Sequence, residues 1–331
     1  MGEPAQDTHT GDSNTWSSRG RQLADQWISR CLVEHGRCNR KATVEGWLPT
    51  RLLDIEFRDT SKNIRLIETR YIVRRGQYIS LSHCWGRTPV LCLRTGDSAR
   101  LRNGIPVKSL PKTFRHAVEV TKHLTIRYLW IDSFCIIQDS LDDWQVESSN
   151  MRHIFQNAFC NIAATGSPNS HTGLFFERDP SLIPVGTINA QWTGAFSPGE
   201  YCFFPHSLWL NGVSSAPLNR RAWVVQERLL ARRVLHFGSQ GLFFECYEHE
   251  ACETFPTGLP VFLSRDNTLH NSKTYTHRMK IRWTTASRIP KNGKESFTPL
   301  RGVIWQRRAI RPSHFPGLQK NFKSISSRNH T

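Results

Sequence analysis

One glutamate stands out among the residues of this chain that could take part in chemistry. In the segment 139–151, DSLDDWQVESSNM, helical spacing places Glu147 in line with Trp144 and Met151, and the same line continues through Ile154. That line of residues is the face expected to be buried. Since burial of an unpaired carboxylate costs several kcal/mol, the position of Glu147 requires a cause.

Two explanations for Glu147 remain open at this point. Its carboxylate pairs with an arginine of the same domain, for which Arg115 and Arg152 are candidates, or it faces a pocket where a carboxylate is used. A carboxylate beside a sugar stabilises the oxocarbenium-like charge that develops when a glycosidic bond breaks. The first reading makes Glu147 structural, and the second makes it catalytic.

A second group of candidates follows two predicted strands. Ser82 and Trp85 lie in YISLSHCWG, where a strand runs into a loop closed by Gly86, and Asp132 ends the strand IRYLWID. Ligands of open α/β sheets bind at the carboxyl ends of strands. We therefore expect Ser82 to contact a phosphate, Trp85 to stack on a base, and Asp132 to hold a ligand hydroxyl or cap the next turn. The alternative for Trp85 is a place in the core.

Glu227 is a reserve candidate for the active site. In RRAWVVQERLL it follows Trp223 at helical spacing, so it is a second acid among apolar residues. Pairing with Arg220 or Arg221 is the simpler explanation of its position.

Cysteine and histidine residues form two short triplets, Cys31-x3-His35-x2-Cys38 and Cys246-x2-His249-x2-Cys252. A zinc ion could join the two. Neither triplet has an established zinc spacing, and the chain has no CxxC pair. The sequence alone therefore assigns no metal ligand, and its nine cysteines are predicted to be reduced thiols.

The charge of the chain is concentrated at one end. Residues 262–331 hold 15 Lys and Arg against 2 Asp and Glu, and they supply +13 of the net charge of +17. This tail is predicted to be disordered, and the nearly balanced body does not favour nucleic-acid binding. Residues 1–20 are predicted to be a disordered leader without a secretory signal. With no run of about 18 apolar residues to span a membrane, a cytoplasmic location is expected.

The predicted elements describe one α/β domain over residues 21–261. Strands and helices alternate through the middle of the chain, which is typical of a largely parallel sheet with helices on both faces. Residues 166–215 are interpreted as an insertion. The segment RRVLHFGSQGLFFEC is predicted to form a C-terminal β-hairpin.

Three segments together resemble the fungal heterokaryon incompatibility (HET) domain family. They are YISLSHCWG, the stretch from LPKTFRHAVEV to QNAFCNIAA, and RRAWVVQERLLARRVLHFGSQGLFFEC. The resemblance covers roughly residues 25–250. Where the family usually has Tyr in the first motif this chain has His83, and where it usually has Leu after the IDS step this chain has Phe134.

The resemblance implies an effector of fungal non-self recognition and programmed cell death. It also implies kinship with TIR domains, which have a flavodoxin-like fold and of which several hydrolyse NAD with a glutamate in a Trp-x-x-Glu step. Here that step is Trp144-Gln-Val-Glu147. On this reading NAD is a candidate substrate, no cofactor is required, Glu147 is catalytic, and Ser82, Trp85, Asp132 and Trp144 bind the ligand. The alternative is a non-enzymatic signalling module that acts through self-association and protein partners.

Overall fold

The computed structural model describes residues 12–40, 46–55, 63–71, 76–87, 91–179, 186–191, 199–205, 207–260 and 303–307. Its α-helices are α1 Ser18–Glu34, α2 Ser98–Asn103, α3 Lys112–His123, α4 Asp132–Cys135, α5 Leu141–Asn157 and α6 Ala222–Leu230. Its strands are β1 Arg51–Asp54, β2 Asn63–Glu68, β3 Tyr78–Ser82, β4 Ile105–Pro106, β5 Tyr128–Ile131, β6 Cys160–Ala163, β7 Gly186–Ala190, β8 Gly199–Pro205, β9 Arg233–Phe237, β10 Leu242–Cys246, β11 Glu250–Cys252 and β12 Val303–Arg307. Among these helices, none combines the length and apolar character that a membrane crossing requires.

Nine strands form a mixed sheet in the order β11-β10-β9-β6-β3-β5-β1-β2-β4. The centre of the sheet is parallel, because β3 pairs with both β5 and β6 and β6 pairs with β9. Both flanks are antiparallel, and the predicted hairpin is β9 with β10. The predicted α/β class is confirmed, and the parallel pairing holds for the four central strands.

The order of these central strands reverses at one point of the sheet. Along the chain these strands follow one another as β3, β5, β6 and β9. In the sheet their order is β5-β3-β6-β9, so the first strand lies between the second and the third. Flavodoxin-like sheets begin with this order, and their ligands bind where the order reverses, which here is between β3 and β6. Ser82 is the last residue of β3. The strand order therefore puts Ser82 at the expected ligand edge.

Alternation along the strands divides the core between the two faces of the sheet. In β5, Leu129 and Ile131 join the larger cluster with α1 and α3, whereas Tyr128 and Trp130 pack with α5. The predicted placement of helices on both faces follows from this division. A TIR-like fold beyond the strand order stays a prediction.

The ordered chain begins before the predicted boundary at residue 21. The Ser17 side chain caps α1 by accepting a hydrogen bond from the Gly20 N–H at 3.1 Å. Trp16 is buried in the main core. The prediction of a disordered leader is therefore wrong for residues 12–20, because an apolar ring and a helix cap hold them in place. The first eleven residues lie outside the described part of the chain.

A second sheet includes part of the basic tail. β12 pairs antiparallel with β8, which pairs antiparallel with β7, so the order is β12-β8-β7. The prediction of disorder is therefore wrong for Val303–Arg307. The stretch VIWQR is rich in β-forming side chains, and β8 offers it backbone groups to pair with. The rest of the tail lies outside the described residues.

Candidate functional site

A buried polar network orients the Ser82 hydroxyl at the end of β3. The Asn161 Nδ2 group donates to Ser82 Oγ at 3.0 Å, and Asn161 Oδ1 accepts a hydrogen bond from Ser80 Oγ at 2.9 Å. All three side chains are buried. Ser82 Oγ also lies 3.3 Å from Asn161 Oδ1, so the Ser82 hydroxyl can donate its proton to that oxygen or toward the open edge of the sheet.

The Glu227 carboxyl group of α6 lies beside Ser82. Burial raises the pKa of Glu227 to about 7, and the hydrogen bond from Ser82 opposes that rise. The negative charge of Asp132 raises this pKa further, and the Arg221 guanidinium lowers it. A carboxyl group with a pKa near neutral can gain and lose a proton at physiological pH, as general acid–base catalysis requires.

Asp132 connects the end of β5 to the loop after β3. Its Oδ2 accepts a hydrogen bond from the Trp85 indole N–H at 2.9 Å, and its Oδ1 accepts one from the Ser133 backbone N–H at 2.7 Å. The second contact is local, to the residue that directly follows Asp132, and α4 has no side-chain cap at its N-cap residue Ile131. Asp132 therefore orients Trp85, and its expected role in capping the next turn stays a prediction. Its side chain keeps 27% exposure, so a ligand can still reach it.

His83 lies below these groups as a buried imidazole. Its Nδ1 is 3.6 Å from Asp132 Oδ1, which is too long for a hydrogen bond. Its ring meets Phe114 edge-on at 4.9 Å and runs parallel to the Trp85 ring at 6.3 Å between centroids. Burial lowers the pKa of His83, Asp132 opposes this shift, and Arg221 adds to it. The imidazole is therefore neutral at neutral pH.

The loop that carries Trp85 depends on a glycine. Gly86 has φ +80°, a conformation that side chains other than glycine rarely adopt. A Cβ atom at this position would lie 2.6 Å from Asn169 Cβ. The absence of a side chain lets the loop pass close to Asn169 and places Trp85 against Asp132.

We call Ser82, His83, Trp85, Asp132 and Glu227 the strand-end site. Four of these residues were candidates from sequence, with Glu227 only in reserve, and the structure brings them together. His83 had been noted only as a departure from the family pattern. The site combines two carboxyl groups, one hydroxyl, one neutral imidazole and one indole ring. Such a set can hold a polyhydroxylated ligand and stabilise a developing positive charge.

Glu147 occupies a different environment on α5. Its side chain is 1% exposed, and its Oε1 lies 4.0 Å from Arg51 Nη1. Arg51 also forms hydrogen bonds to Asp143, with Nη1 at 3.0 Å from Oδ2, and to the Cys135 carbonyl at 2.8 Å. Burial raises the pKa of Glu147, whereas the Thr50 hydroxyl and Arg51 lower it. Arg51 thus lies near this acid at the limit of ion-pair distance, and the geometry of the described residues gives neither buried Glu147 oxygen a hydrogen bond.

The arginine beside Glu147 was not among those considered from the sequence. Arg51 belongs to β1, whereas Arg115 and Arg152 had been the candidates. Trp144, on the same helix, is 46% exposed. Helix α5, which carries both Trp144 and Glu147, packs against α6, which carries Glu227. Local spacing alone contains no signal for Arg51, because β1 reaches α5 only through the order of the sheet.

Residues 78–227 match the family model described as Heterokaryon incompatibility protein (HET). The chain carries a HET domain. Searches of curated proteins and of solved structures found no match to this chain. The matched stretch begins with β3 and ends at Glu227, so the whole strand-end site lies inside the HET domain. The family prediction is confirmed over residues 78–227, which hold the first two sequence segments and the start of the third.

Proposed function

We propose that this HET domain hydrolyses NAD or a related nucleotide at the strand-end site. We infer that this reaction serves an effector of fungal non-self recognition and programmed cell death that acts in the cytoplasm. The observation that supports the chemistry is the Glu227 carboxyl group. Burial raises its pKa to about 7, and the group interacts with the Ser82 hydroxyl and with the charge of Asp132 at the ligand edge of the parallel strands.

In the proposed reaction the N-glycosidic bond of NAD breaks, and its electron pair leaves with nicotinamide. The positive charge that remains on the ribose lies next to the Glu227 carboxylate, which stabilises it. A water oxygen then bonds to the same ribose carbon and gives its proton to Glu227. Asp132 binds a ribose hydroxyl, and Trp85 offers its ring to a base.

Access favours Glu227 over Glu147 as the reacting carboxylate. The resemblance to TIR domains points to Glu147, yet its side chain is 1% exposed and lies beside Arg51. Glu227 is partly exposed and interacts with Asp132, whose side chain is 27% exposed. Glu147 remains the second candidate and is tested alongside.

The test measures nicotinamide release from NAD by the purified full chain at high protein concentration, which allows self-assembly. We expect Glu227→Gln to lower the rate by about 10²–10⁴-fold, the range for loss of an acid–base group. The control is Glu119→Gln, which removes a half-exposed acid on α3. Circular dichroism checks that each variant is folded.

Two results would reassign the chemistry. If Glu147→Gln lost turnover and Glu227→Gln kept it, the reacting carboxylate would be Glu147. If wild-type protein released no nicotinamide in any assembly state, the nucleotide-hydrolysis proposal would be overturned.

A second candidate function is a signalling module without catalysis. Large apolar side chains are exposed on α5 and α6, which pack on each other: Leu141 is 70% exposed, Trp144 46%, Val146 57% and Trp223 56%. Apolar side chains in such number on neighbouring helices favour contact with another protein surface. This function predicts that Glu227→Gln still kills cells on expression, whereas substitutions at Trp144 and Trp223 abolish killing.

A further inference from the structure

Four potential metal ligands converge outside the HET match. Cys31 lies in the last turn of α1, His35 is its C-cap, Cys38 follows, and Cys246 ends β10. Their ligand atoms all lie within 4.8 Å of one another, and all four residues are buried. The described cysteines are free thiols.

The spacing of these atoms suits a tetrahedral zinc ion. With Zn–S bonds of about 2.3 Å, the ligand atoms of a tetrahedron are separated by about 3.8 Å. His35 Nδ1 lies 3.2 Å from Cys246 Sγ, so the imidazole nitrogen already points into the group of sulfurs. Three sulfurs and one imidazole nitrogen form a Cys3His set, which is typical of structural zinc.

The sulfur of Cys246 has the hydrogen-bond donors that a thiolate needs. The backbone N–H groups of Glu248 and His249 point to Cys246 Sγ, at 3.5 and 3.2 Å. A neutral thiol is a weak acceptor, whereas a metal-bound thiolate accepts such bonds strongly. The turn between β10 and β11 thus directs two N–H donors at this sulfur, which suits a thiolate.

A buried arginine provides an independent indication of negative charge. Arg233 is 3% exposed, and its Nε lies 3.2 Å from Cys31 Sγ. Its other hydrogen bonds go to the Phe159 carbonyl and the Asn39 side-chain oxygen. Within the described ranges, no carboxylate forms an ion pair with it. A buried guanidinium requires an anion nearby, and three thiolates around Zn²⁺ carry a net charge of −1.

We propose that Cys31, His35, Cys38 and Cys246 bind one structural zinc ion. All four positions of the tetrahedron are filled by protein, so no site is left for a reacting water. The ion joins the end of α1 to the end of β10, and Asn39 supports this junction by donating to the Cys31 carbonyl at 2.7 Å. This site does not depend on the proposed nucleotide chemistry, since its ligands lie outside residues 78–227.

The second sequence triplet contributes only Cys246. Cys252 packs instead with Trp209, Val213 and Phe243 in a separate apolar cluster. This gives the experiment a matched control, because Cys252 is equally buried and lies six residues further along, at the end of β11.

We expect wild type and Cys252→Ser to contain about one zinc per chain by mass spectrometry of the metal. Cys246→Ser and His35→Ala should lose most of it.

Two further measurements keep the test independent of variant folding. Cobalt(II) added to metal-free wild type should give the intense absorption of tetrahedral thiolate ligation, and zinc should displace it. His35→Cys, which supplies a fourth sulfur, should retain the metal that His35→Ala loses. A chelator should lower the Tm of wild type, and added zinc should restore it.

The proposal would be overturned by a disulfide among Cys31, Cys38 and Cys246 in protein purified with zinc present. It would equally be overturned by metal-free wild type that has free thiols, gives no cobalt spectrum and keeps its Tm when zinc is added.

Discussion

The indole N–H of Trp85 lies 2.9 Å from Asp132 Oδ2, and this contact joins the loop after β3 to the end of β5. β3 and β5 are neighbouring parallel strands, so both residues stand at the same edge of the sheet. Asp132 in turn acts on the Glu227 carboxyl group and raises its pKa. Asp132 therefore interacts with both Trp85 and Glu227, and the three residues belong to three separate elements.

The raised pKa of Glu227 predicts a pH dependence of stability. Its pKa rises from 4.5 to about 7 on folding, so the folded chain binds the proton more tightly. The stabilisation by protonated Glu227 is therefore fully present below about pH 4.5 and is lost as pH rises through 7. At about 1.4 kcal/mol per unit, this loss is on the order of 3–4 kcal/mol.

Glu227→Gln should remove that dependence. Urea unfolding at about pH 5 and about pH 8 should show that the free energy of unfolding falls less with pH in the variant than in wild type. Equal changes in the two proteins would mean that Glu227 titrates with its ordinary pKa.

Arg51 is predicted to stabilise two acids at once. Arg51→Met leaves Asp143 and the buried Glu147 without their cation, and it should cost about 3–5 kcal/mol of unfolding free energy. Adding Glu147→Gln should recover part of this loss, because the neutral amide carries no charge to bury. The control Arg21→Met removes an exposed ion pair with Glu119 and should cost under about 1 kcal/mol. Similar losses in both single variants would contradict this account.

Gly86→Ala tests the loop geometry next to the strand-end site. The new Cβ would meet Asn169 Cβ at 2.6 Å in a backbone with φ +80°, and we expect a loss of about 1–3 kcal/mol in thermal unfolding. Gly96→Ala is the control, since no heavy atom outside its chain neighbours lies within 4 Å of its Cβ position. A change of less than about 0.5 kcal/mol at Gly86 would show that the loop can move away.

Trp144 and Trp130 are predicted to respond differently to truncation. Trp144 is 46% exposed on α5, so Trp144→Ala should change stability by about 0.5 kcal/mol or less. Trp130 is 1% exposed in β5, and Trp130→Ala should cost about 3–5 kcal/mol. Chemical denaturation measures both. Sedimentation of Trp144→Ala against wild type would also report any self-association through α5, and a large loss of stability at Trp144 would mean that the ring is buried.

The sequence by itself determined the elements and the family. Short, mostly apolar runs such as YISLS and YLWI specify buried strands, and the helix from Lys112 to His123 follows from periodicity, since both patterns depend only on neighbouring residues. The HET segments could also be recognised from the sequence, because each is a continuous run of neighbouring residues. The boundary at residue 21 was wrong because Trp16 is held by distant core residues, and polar neighbours in the sequence hide that contact.

Only the tertiary structure decided which acid meets Ser82 and which cysteine joins Cys31. Glu147 and Glu227 look alike in the sequence, since each lies on an apolar helical stripe. The sheet order sends α6 to the end of β3 and leaves α5 beside Arg51. Likewise, Cys246 reaches Cys31 because β10 packs against α1. These contacts depend on the pairing of strands that are far apart in the chain, and no local pattern of residues encodes them.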